Sequence, residues 1–331
     1  MSDKPSVWIS RPTFPGVIAR LEPHFEVTAE AEERKFSPAE LAAKLAGQDA
    51  AIVGLKDCVG AAEIARATRL RIVANLGVGY DNLDLDALSG AGIAASNTAD
   101  VLNESVADYA WALLLGAARR MTAAERWLRA GHWQANGFTQ WLGSDVRGRT
   151  LGILGMGRIG QAIARRAAGF DMPVLYHNRS PLPAETERAC RARFVDKAQL
   201  LRESDFLMLV LPLAAQTRHA IGAAELAAMK PTAMLVNVAR GGIVDDKALA
   251  AALRERRLAG AALDVFEGEP ALYPGLLELD NVVLSPHIAS ASTETRRAMT
   301  ALAVDNVLAM FGHGPHAGRP PTILNPSVLG K

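Results

Sequence analysis

The sequence predicts an α/β protein built on parallel sheets, and three observations support this fold class. Short apolar runs of strand type alternate with helical patterns along the chain. One such run, at 151–154, leads into Gly155, Gly157 and Gly160 and then into a helical pattern. The 331 residues also exceed the usual size of one domain. We therefore expect two domains, each with a parallel sheet covered by helices on both faces.

The first hundred residues are predicted to consist of strands joined by helices. Strand-type apolar runs lie at 7–9, 25–27, 50–53, 71–74 and 92–95. Helical patterns lie at 15–21, 61–67 and 84–89, and another helix begins after Ser37. There, Ser37 and Glu40 form a capping-box pattern, and Pro38 takes the first helical position. Strands separated by helical connections indicate a parallel sheet.

A longer amphipathic helix is predicted to begin at Asn103. Its apolar stripe, spaced at i, i+3, i+4, i+7, i+8 and i+11, comprises Val106, Tyr109, Ala110, Leu113, Leu114 and Ala117. The next segment, 131–146, has mixed composition and is predicted to be an irregular arm. Three tryptophans near it pack either in the local core or against another subunit, namely Trp127, Trp133 and Trp141.

Beyond the glycine turn the alternation of strands and helices resumes. Strands are predicted at 173–176, 205–211, 233–238, 258–263 and 282–284. Helices are predicted at 196–202, 223–229, 245–256 and 293–311. Glycine and proline make 312–326 irregular. Together with 151–154, these strands are about the number found in one doubly wound sheet.

The glycine turn itself predicts a dinucleotide-binding site. Gly155 permits the tight turn out of the strand, Gly157 lets the backbone approach a pyrophosphate, and Gly160 lets the new helix pack closely on the sheet. Free amides at the helix N-terminus would then bind the phosphates. The residues of the turn expected to contact the cofactor are Gly155, Met156, Gly157, Arg158, Ile159 and Gly160.

The strand after this helix indicates which nicotinamide nucleotide is preferred. An acidic residue about 20 positions past the glycines normally binds the ribose 2′-hydroxyl of NAD. Here the strand ends at 176–180 without a carboxylate, and Arg179 stands between Asn178 and Ser180. Arg179 can bind a 2′-phosphate as a charged pair while its two neighbours donate hydrogen bonds. NADPH is therefore favoured and NADH is the alternative, although Arg179 could also be an ordinary solvated loop arginine.

Composition and charge exclude several other classes of protein. The 36 basic and 35 acidic residues leave a net charge of +1, with no block of five like charges, so nucleic acid and anionic membranes are poor candidates as partners. The start lacks a signal-peptide core, and no apolar run reaches the roughly 18 residues of a membrane span. The two cysteines, Cys58 and Cys190, are far apart and have no metal-binding spacing. We expect a cytoplasmic protein without a metal site.

Three ionisable residues follow three of the later predicted strands. Arg240 follows 233–238, Glu269 lies in the loop after 258–263, and His287 follows 282–284. Ligands bind beyond the carboxyl ends of the strands in open parallel sheets, so these side chains can converge on one site. Taken singly, each has an ordinary explanation as a surface arginine, a loop glutamate or a buried histidine.

Taken together, several motifs resemble the D-isomer-specific 2-hydroxyacid dehydrogenases over almost the whole chain. The motifs are the glycine turn and residues 77–82, 103–108, 237–242, 263–270 and 286–289. Within that family the sequence is most similar to the bacterial glyoxylate/hydroxypyruvate reductases that also take 2-ketogluconate. The resemblance implies a Rossmann cofactor domain, 103–287, inserted into a flavodoxin-like substrate domain, 1–102 with 288–331. It also implies an active site in the cleft between them.

The resemblance assigns roles to the three ionisable residues. Arg240 would hold the substrate carboxylate and polarise its carbonyl, since a guanidinium is always charged and donates in a planar fork. His287 would be the general acid in reduction of a 2-keto acid to a D-2-hydroxy acid, and the base in reverse. Glu269 would pair with His287, favour its imidazolium form and fix its orientation. Amides of Val78 and Gly79, beside Leu55, would bind the carboxylate as well.

The resemblance further implies cofactor contacts and a subunit partner. Further cofactor-lining residues would be Leu211, Pro212, Thr217, Val238, Ala239 and Asp264, together with Arg240 and His287. For Leu211 and Pro212, simple termination of a strand is the alternative. The family also implies a homodimer formed through the helix at Asn103 and the arm, with Trp141 reaching the substrate pocket of the neighbouring subunit.

Two departures from the family pattern and two rival functions also bear on the interpretation. NAD-dependent members of the family carry an acidic residue where this chain has His177 or Asn178, which favours NADP. The chain also ends soon after its last helix, so we expect no C-terminal regulatory domain of the phosphoglycerate dehydrogenase type. One rival is a non-catalytic NAD(P)-sensing protein of the same fold. The other is a related dehydrogenase with another substrate, such as formate or phosphite, although Glu269 argues against formate.

Overall fold

The structure, a computed structural model, describes residues 4–329 and divides the chain into two units. The terminal unit contains the chain up to Leu102 and from Ala291 onward, and the central unit is Asn103–Ser290. The sequence assigned residues 288–290 to the terminal unit, whereas the structure places them in the central unit. The reason is that the amides of Ile288 and Ala289 donate hydrogen bonds to Asp264, which follows a central strand.

The terminal unit is built on a five-stranded parallel sheet. Its strands are β1 (Ser6–Ile9), β2 (Glu26–Ala29), β3 (Ala50–Val53), β4 (Ile72–Asn75) and β5 (Ala94–Ser96). The helices between them are α1 (Pro15–Ile18), α2 (Pro38–Leu45), α3 (Ala61–Ile64) and α4 (Leu85–Gly90). The strand order β2-β1-β3-β4-β5 is the flavodoxin-like order, with every pair parallel. The predicted capping box is confirmed at α2, where Ser37 and Glu40 each accept the other's backbone N–H.

Both faces of β1, β3, β4 and β5 are buried, which explains their nearly continuous apolar sequences, whereas the edge strand β2 is largely exposed. Val7 and Ile9 pack in one hydrophobic cluster, whereas Trp8 between them packs in the other. Side chains alternate between the faces of a strand, so a strand covered on both sides needs apolar residues at every position. The unit is completed by the last helix of the chain, which belongs to the cluster around Val7 and Ile9.

The central unit carries the longer sheet. It begins with helices α5 (Asn103–Ala118) and α6 (Met121–Arg129). Its strands are β6 (Leu151–Leu154), β7 (Val174–His177), β8 (Ala192–Phe194), β9 (Phe206–Leu209), β10 (Met234–Asn237), β11 (Gly260–Leu263) and β12 (Val282–Leu284). The remaining helices are α7 (Arg158–Ala167), α8 (Ala184–Cys190), α9 (Lys197–Glu203), α10 (Ala223–Ala228), α11 (Asp246–Arg254) and α12 (Pro274–Leu277), and α13 (Thr293–Met310) is the last helix, in the terminal unit.

The seven parallel strands have the order β12-β11-β10-β9-β6-β7-β8. Counted from β6, this is the Rossmann order 3-2-1-4-5-6 with a seventh strand added at one edge. The predicted fold class, two doubly wound parallel-sheet domains, is therefore confirmed. The order reverses between β6 and β9, and the glycine turn follows β6 at that point. Open α/β sheets bind ligands at such a reversal.

Four of these elements were missing from the sequence prediction. Helix α6 lies in the stretch before the arm, α8 follows β7, β8 is a three-residue edge strand, and α12 is a four-residue helix between β11 and β12. Their apolar patterns are short, so they gave little periodicity to detect. The arm itself, 131–146, contains no helix or strand and is irregular as predicted. Across residues 4–329, none of the helices combines the length and apolar character needed to cross a bilayer.

Candidate active site

The turn after β6 requires glycine at two positions and leaves open space at a third. Gly155 has a φ of +101°, in the left-handed region, and a Cβ there would lie 2.7 Å from the carbonyl carbon of Val210. A Cβ on Gly160 would lie 2.5 Å from the carbonyl oxygen of Gly155. By contrast, apart from Gly157 itself and its two chain neighbours, no atom of residues 4–329 lies within 4 Å of a Cβ built on Gly157. The turn thus packs α7 closely on the sheet and leaves room for a ligand above Gly157.

Helix α7 begins at this turn without a side-chain cap. Its N-cap is Gly157, which has no side chain to accept a hydrogen bond from the first helical N–H groups. Arg158 is exposed, Ile159 is half-buried, and the side chain of Met156 is buried in the core. Uncapped N–H groups at a helix N-terminus attract phosphate, so this end of α7 can hold the pyrophosphate of a dinucleotide.

The end of β7 carries the residues expected to distinguish the two nucleotides. The side-chain oxygen of Asn178 accepts a hydrogen bond from the amide of Met156 at 2.7 Å, so its NH₂ group is directed away from that contact. His177 is tied inward, since its Nδ1 donates to the carbonyl of Val195 at 2.8 Å. Arg179 and Ser180 are exposed. Donors are therefore presented to solvent at this corner, and no carboxylate stands among residues 177–180.

The segment after β9 is shaped by its own hydrogen bonds. The hydroxyl of Thr217 donates to the carbonyl of Pro212 at 2.7 Å and accepts from the amide of Ala214 at 2.8 Å. Leu211 is partly buried and packs against the central core. Thr217 therefore holds the turn that follows Leu211 and Pro212. Its hydroxyl is used in hydrogen bonds within the chain, and the expectation that Thr217 lines the cofactor stays a prediction.

The loop after β10 carries Arg240, and a buried asparagine holds the backbone of this loop. Asn237 is 1% exposed, its side-chain oxygen accepts from the amide of Ala239 at 3.0 Å, and its NH₂ donates to the carbonyl of Arg240 at 3.2 Å. Val238 and Ala239 are buried. The guanidinium of Arg240 is half-buried, and one of its nitrogens donates to the carbonyl of Ala239 at 2.8 Å. Arg240 is thus held at the carboxyl end of the sheet by its own turn.

Asp264, immediately after β11, is fully buried and secures the loop that bears His287. Its carboxylate accepts hydrogen bonds from the Ser285 hydroxyl at 2.7 Å and from the amides of Ile288 and Ala289 at 2.9 and 2.8 Å. Its carbonyl accepts from the amide of His287 at 2.8 Å. Burial raises the pKa of Asp264, and these hydrogen bonds and the nearby His287 oppose that rise. Asp264 therefore organises the loop that bears His287, and the expectation that it also lines the cofactor stays a prediction.

His287 and Glu269 are in direct contact. Nδ1 of His287 lies 2.8 Å from Oε2 of Glu269, and the other oxygen of Glu269 accepts from the amide of Phe266 at 2.9 Å. Both side chains are mostly buried, 27% and 19% exposed. His287 has a φ of +55°, in the left-handed region that few non-glycine residues occupy. Because the carboxylate engages Nδ1, Nε2 is the ring nitrogen left to exchange a proton.

The loops that carry these residues pack against one another. A Cβ on Gly241 would lie 1.8 Å from the carbonyl oxygen of Phe266. The backbone next to Arg240 therefore touches the backbone of the loop that bears Glu269, and only glycine fits there. The structure thus brings Glu269 and His287 together and places Arg240 on the loop of the adjacent strand.

In the terminal unit, the loop after β4 offers free backbone donors. The carbonyls of Val78 and Gly79 are turned inward, and within the described chain no residue accepts a hydrogen bond from their N–H groups. Leu55 is half-buried against Gly77, where a Cβ would lie 2.2 Å from its Cδ2. The inward carbonyls accept hydrogen bonds from two buried side-chain amides, those of Asn97 and Asn75 at 2.8 and 2.7 Å. Two adjacent free N–H groups form a binding element for a carboxylate.

Trp141 lies in the arm and packs within its own chain. Its ring meets Trp127 edge-on at 5.6 Å between centroids, and the guanidinium of Arg120 lies 5.1 Å from its centroid. Its indole N–H is buried and has no hydrogen-bond partner in residues 4–329. The expectation that Trp141 reaches a neighbouring subunit stays a prediction.

Sequence reasoning did not single out several polar residues that build these loops. Three of them are asparagines at or just after the ends of apolar strands, Asn75, Asn97 and Asn237, and each holds a turn by its side-chain amide. Two others hold the chemistry-bearing loops, namely Ser285 and Asp246. A polar amide directly after a buried strand is the signal that could have identified the asparagines.

Comparisons with known proteins agree with this arrangement. The family described as D-isomer specific 2-hydroxyacid dehydrogenase, NAD binding domain, matches residues 111–289. The glyoxylate reductase of Thermococcus onnurineus (strain NA1) is 46% identical over 330 residues, covering 98% of this chain and 97% of that protein. The TT0316 protein from Thermus thermophilus has a TM-score of 0.89 at 39% identity, covering 96% of this chain and 99% of that chain. The NADPH-dependent glyoxylate/hydroxypyruvate reductase SmGhrB from Sinorhizobium meliloti, in complex with NADP and malonate, has a TM-score of 0.86 at 37% identity, covering 97% of both chains.

Proposed function

Because this chain belongs to the D-isomer-specific 2-hydroxyacid dehydrogenase family and is thus an oxidoreductase with a Rossmann NAD-binding domain, we propose that it reduces small 2-keto acids to D-2-hydroxy acids. Glyoxylate and hydroxypyruvate are the proposed substrates, and 2-ketogluconate is a larger candidate. The observation that carries the proposal is the 2.8 Å contact between Nδ1 of His287 and Glu269, which leaves Nε2 for proton transfer.

The residues of the glycine turn fit a dinucleotide. The open space above Gly157 and the uncapped N–H groups of α7 form a cradle in which a pyrophosphate can meet the backbone. Leu211, Pro212, Val238 and Ala239 are proposed to line the cofactor along neighbouring strand ends. When bound, the reduced nicotinamide nucleotide supplies the hydride for the carbonyl carbon.

His287 is the proposed general acid. Nε2 donates its proton to the carbonyl oxygen during reduction and takes it back in the reverse direction. Glu269 accepts the hydrogen bond from Nδ1 and so fixes both the orientation of the ring and the nitrogen that faces the substrate. Asp264 holds the backbone on both sides of the ring through its carbonyl and carboxylate. The acid is therefore fixed in place before substrate binds, which lowers the cost of reaching the reactive geometry.

Arg240 is proposed to bind the substrate carboxylate and polarise the carbonyl. Its guanidinium is always charged and presents several donors in one plane, which matches a carboxylate next to a carbonyl. In the terminal unit, the free N–H groups of Val78 and Gly79, beside Leu55, are proposed as further carboxylate donors. Neutralising this carboxylate favours hydride addition, because the carbonyl gains negative charge in the transition state.

NADPH is the proposed cofactor, with NADH as the weaker alternative. Arg179 and Ser180 are exposed at the end of β7, and Asn178 directs its NH₂ group away from Met156. These groups can bind the 2′-phosphate of NADPH through a charged pair and hydrogen bonds. A carboxylate at this corner would repel that phosphate, and none is present among residues 177–180.

A homodimer formed through α5 and the arm is also proposed. Large apolar side chains are exposed along α6 and the arm, namely Met121, Leu128, Trp133, Phe138 and Leu142, and Phe138 is 99% exposed. Contiguous exposed apolar patches are typical of interfaces, and we propose that these side chains form one. Light scattering after gel filtration should give twice the mass of the chain. Phe138→Ser should weaken the dimer, whereas Leu277→Ser, at an exposed site outside the arm, should not.

The test of the proposed reaction is a steady-state comparison of four keto acids, each with NADPH and NADH. Glyoxylate, hydroxypyruvate, pyruvate and 2-ketogluconate are supplied in turn, and oxidation of the nucleotide is followed by absorbance. We expect the highest kcat/KM with glyoxylate or hydroxypyruvate and NADPH. No oxidation with any keto acid, together with measurable NADPH binding, would contradict the proposal and favour a nucleotide-sensing protein.

A further inference from the structure

The loop that carries Glu269 is held by a carboxylate on another element. Asp246 lies in the first turn of α11 and is 5% exposed. One of its oxygens accepts the backbone N–H of Glu267 at 3.0 Å. The preceding N–H, that of Phe266, donates to Glu269 itself at 2.9 Å. Two consecutive amides of the loop are thus fixed by two carboxylates, and only Glu269 belongs to the loop.

Glu267 is anchored through its side chain as well as its backbone. Its carboxylate pairs with the guanidinium of Arg218, and its second oxygen lies 3.0 Å from Nε2 of His219. Gly241 packs against the carbonyl of Phe266 in the same turn. The amide of Glu267 is also bound to Asp246. The short segment before Glu269 is therefore held by three sets of contacts, which are the ion pairs of Glu267, the packing of Gly241 and this hydrogen bond. The position of the Glu269 carboxylate therefore depends on residues outside its own loop.

We propose that Asp246 is a positioning residue, whose carboxylate holds the amide of Glu267 and thereby keeps Glu269 in place against His287. This role rests on the proposed keto-acid reduction, in which Glu269 orients the proton donor. Asp246 does not touch the reacting groups and acts through the backbone of Glu267. A hydrogen bond to an ionised acceptor is about twice as strong as one to a neutral acceptor. The charge of Asp246 therefore determines the strength of the hydrogen bond from the amide of Glu267.

The surroundings of Asp246 make its charge sensitive to pH. Burial first, and then the carboxylates of Glu267 and Asp245, raise its pKa to about 6, while the hydrogen bond from Glu267 and the charge of His219 oppose the rise. Lys247 and Tyr273 line one surface pocket together with Asp245, Asp246 and Glu267. Burying a carboxylate beside two others is unfavourable, and an asparagine could accept the same hydrogen bond without a charge. The charge is therefore costly for folding, which fits a role in function.

The test compares kcat and KM for glyoxylate in the wild type and two variants from pH 5 to 8. Asp246→Ala removes the acceptor, so we expect kcat to fall about tenfold at pH 8 while KM stays within about twofold, since the substrate-binding groups are untouched. Asp246→Asn keeps a neutral acceptor, so kcat at pH 8 should stay within about twofold to threefold of the wild type. The ratio of its kcat to that of the wild type should rise toward one as the pH falls through about 6.

Glu255→Gln is the matched control, because it changes an exposed carboxylate just after the same helix and should leave the ratio at one at every pH. An unchanged kcat and pH profile in both Asp246 variants, with only a change in melting temperature, would reduce Asp246 to a structural role and overturn the proposal. If Asp246→Ala does not fold, a constant ratio for Asp246→Asn overturns the proposal in the same way. Absence of keto-acid reduction in the wild type would instead count against the proposed reaction.

Discussion

Two corners of the seven-stranded sheet differ in how exposed their functional residues are and in what holds them. At the ends of β11 and β12, Asp264 and Glu269 are buried or mostly buried, and each carboxylate accepts backbone N–H groups from the loops around His287. At the ends of β6 and β7, the turn is shaped by glycine, and Arg179 is exposed at its rim. The first corner is held by hydrogen bonds within the chain, whereas the second is an open surface with hydrogen-bond donors.

The difference follows from what each corner is proposed to do. Proton transfer requires a nitrogen held within hydrogen-bond reach of one atom, so its supports are buried and fully hydrogen-bonded. Binding of a phosphate requires accessible N–H groups and positive charge, which a buried, satisfied network cannot offer. Substitutions at the first corner should therefore reduce the rate of reaction, and substitutions at the second should change which nucleotide binds.

His287→Ala should lower kcat by a factor on the order of 10² or more, because it removes the group proposed to protonate the carbonyl oxygen. Binding of NADPH, measured by fluorescence titration, should change little, since the glycine turn lies at the other corner. His316→Ala, at an exposed site in the terminal unit, is the control and should behave as the wild type. Near-normal turnover in His287→Ala would show that His287 is not the general acid. The proposed difference in function between the two corners would then be wrong.

Arg240→Ala should lower kcat/KM for glyoxylate by roughly 10 to 10²-fold, because charge-assisted hydrogen bonds to a carboxylate contribute about 1.5–3 kcal/mol. Steady-state kinetics with saturating NADPH measures the effect. Arg257→Ala, which removes an exposed arginine of the same unit, should change kcat/KM little. An unchanged affinity for the keto acid in Arg240→Ala would contradict its role in carboxylate binding.

Arg179→Ala should weaken binding of NADPH about fivefold and leave binding of NADH within about twofold, since an exposed ion pair with the 2′-phosphate contributes about 1 kcal/mol. The dissociation constants of both nucleotides, measured by titration, test this selectivity. Arg202→Ala, an exposed arginine on α9, provides the control. An equal loss of affinity for both nucleotides would show that the charge of Arg179 does not distinguish NADPH from NADH.

Asp246→Asn should change the pH dependence of stability. Its pKa is raised from 3.8 to about 6 in the folded chain, so wild-type stability is greatest below 3.8 and falls as the pH rises through about 6. The variant lacks this loss, and its free energy of unfolding should exceed that of the wild type by about 1–3 kcal/mol at pH 8. The difference should vanish near pH 4. Melting temperatures measured across this range test it, and a wild type that gains stability from pH 4 to 8 relative to the variant would contradict the sign.

Some elements of both corners were predictable from local pattern. A strand, three glycines and a helix at fixed spacing are a property of about fifteen consecutive residues, so the turn at Gly155 was identified from the sequence. The parallel sheets followed from the alternation of apolar runs and helices, whereas the edge strand β8 and helix α6 were missed because their patterns are short. The supports of the buried corner were also missed. Asp246 reaches the amide of Glu267 across 21 positions of sequence, which no local pattern records.

The order of amino acids along the chain was enough to establish the α/β class and the glycine turn and to predict Arg240, Glu269 and His287 as site residues, because periodicity and motif spacing are local properties. The folded arrangement was needed to show that Glu269 meets Nδ1 of His287, that Asp264 lies beneath that loop, and that Asp246 holds the segment before Glu269. These contacts join the ends of different strands and helices. They arise when parallel strands align their carboxyl ends, and that alignment depends on packing of the whole sheet.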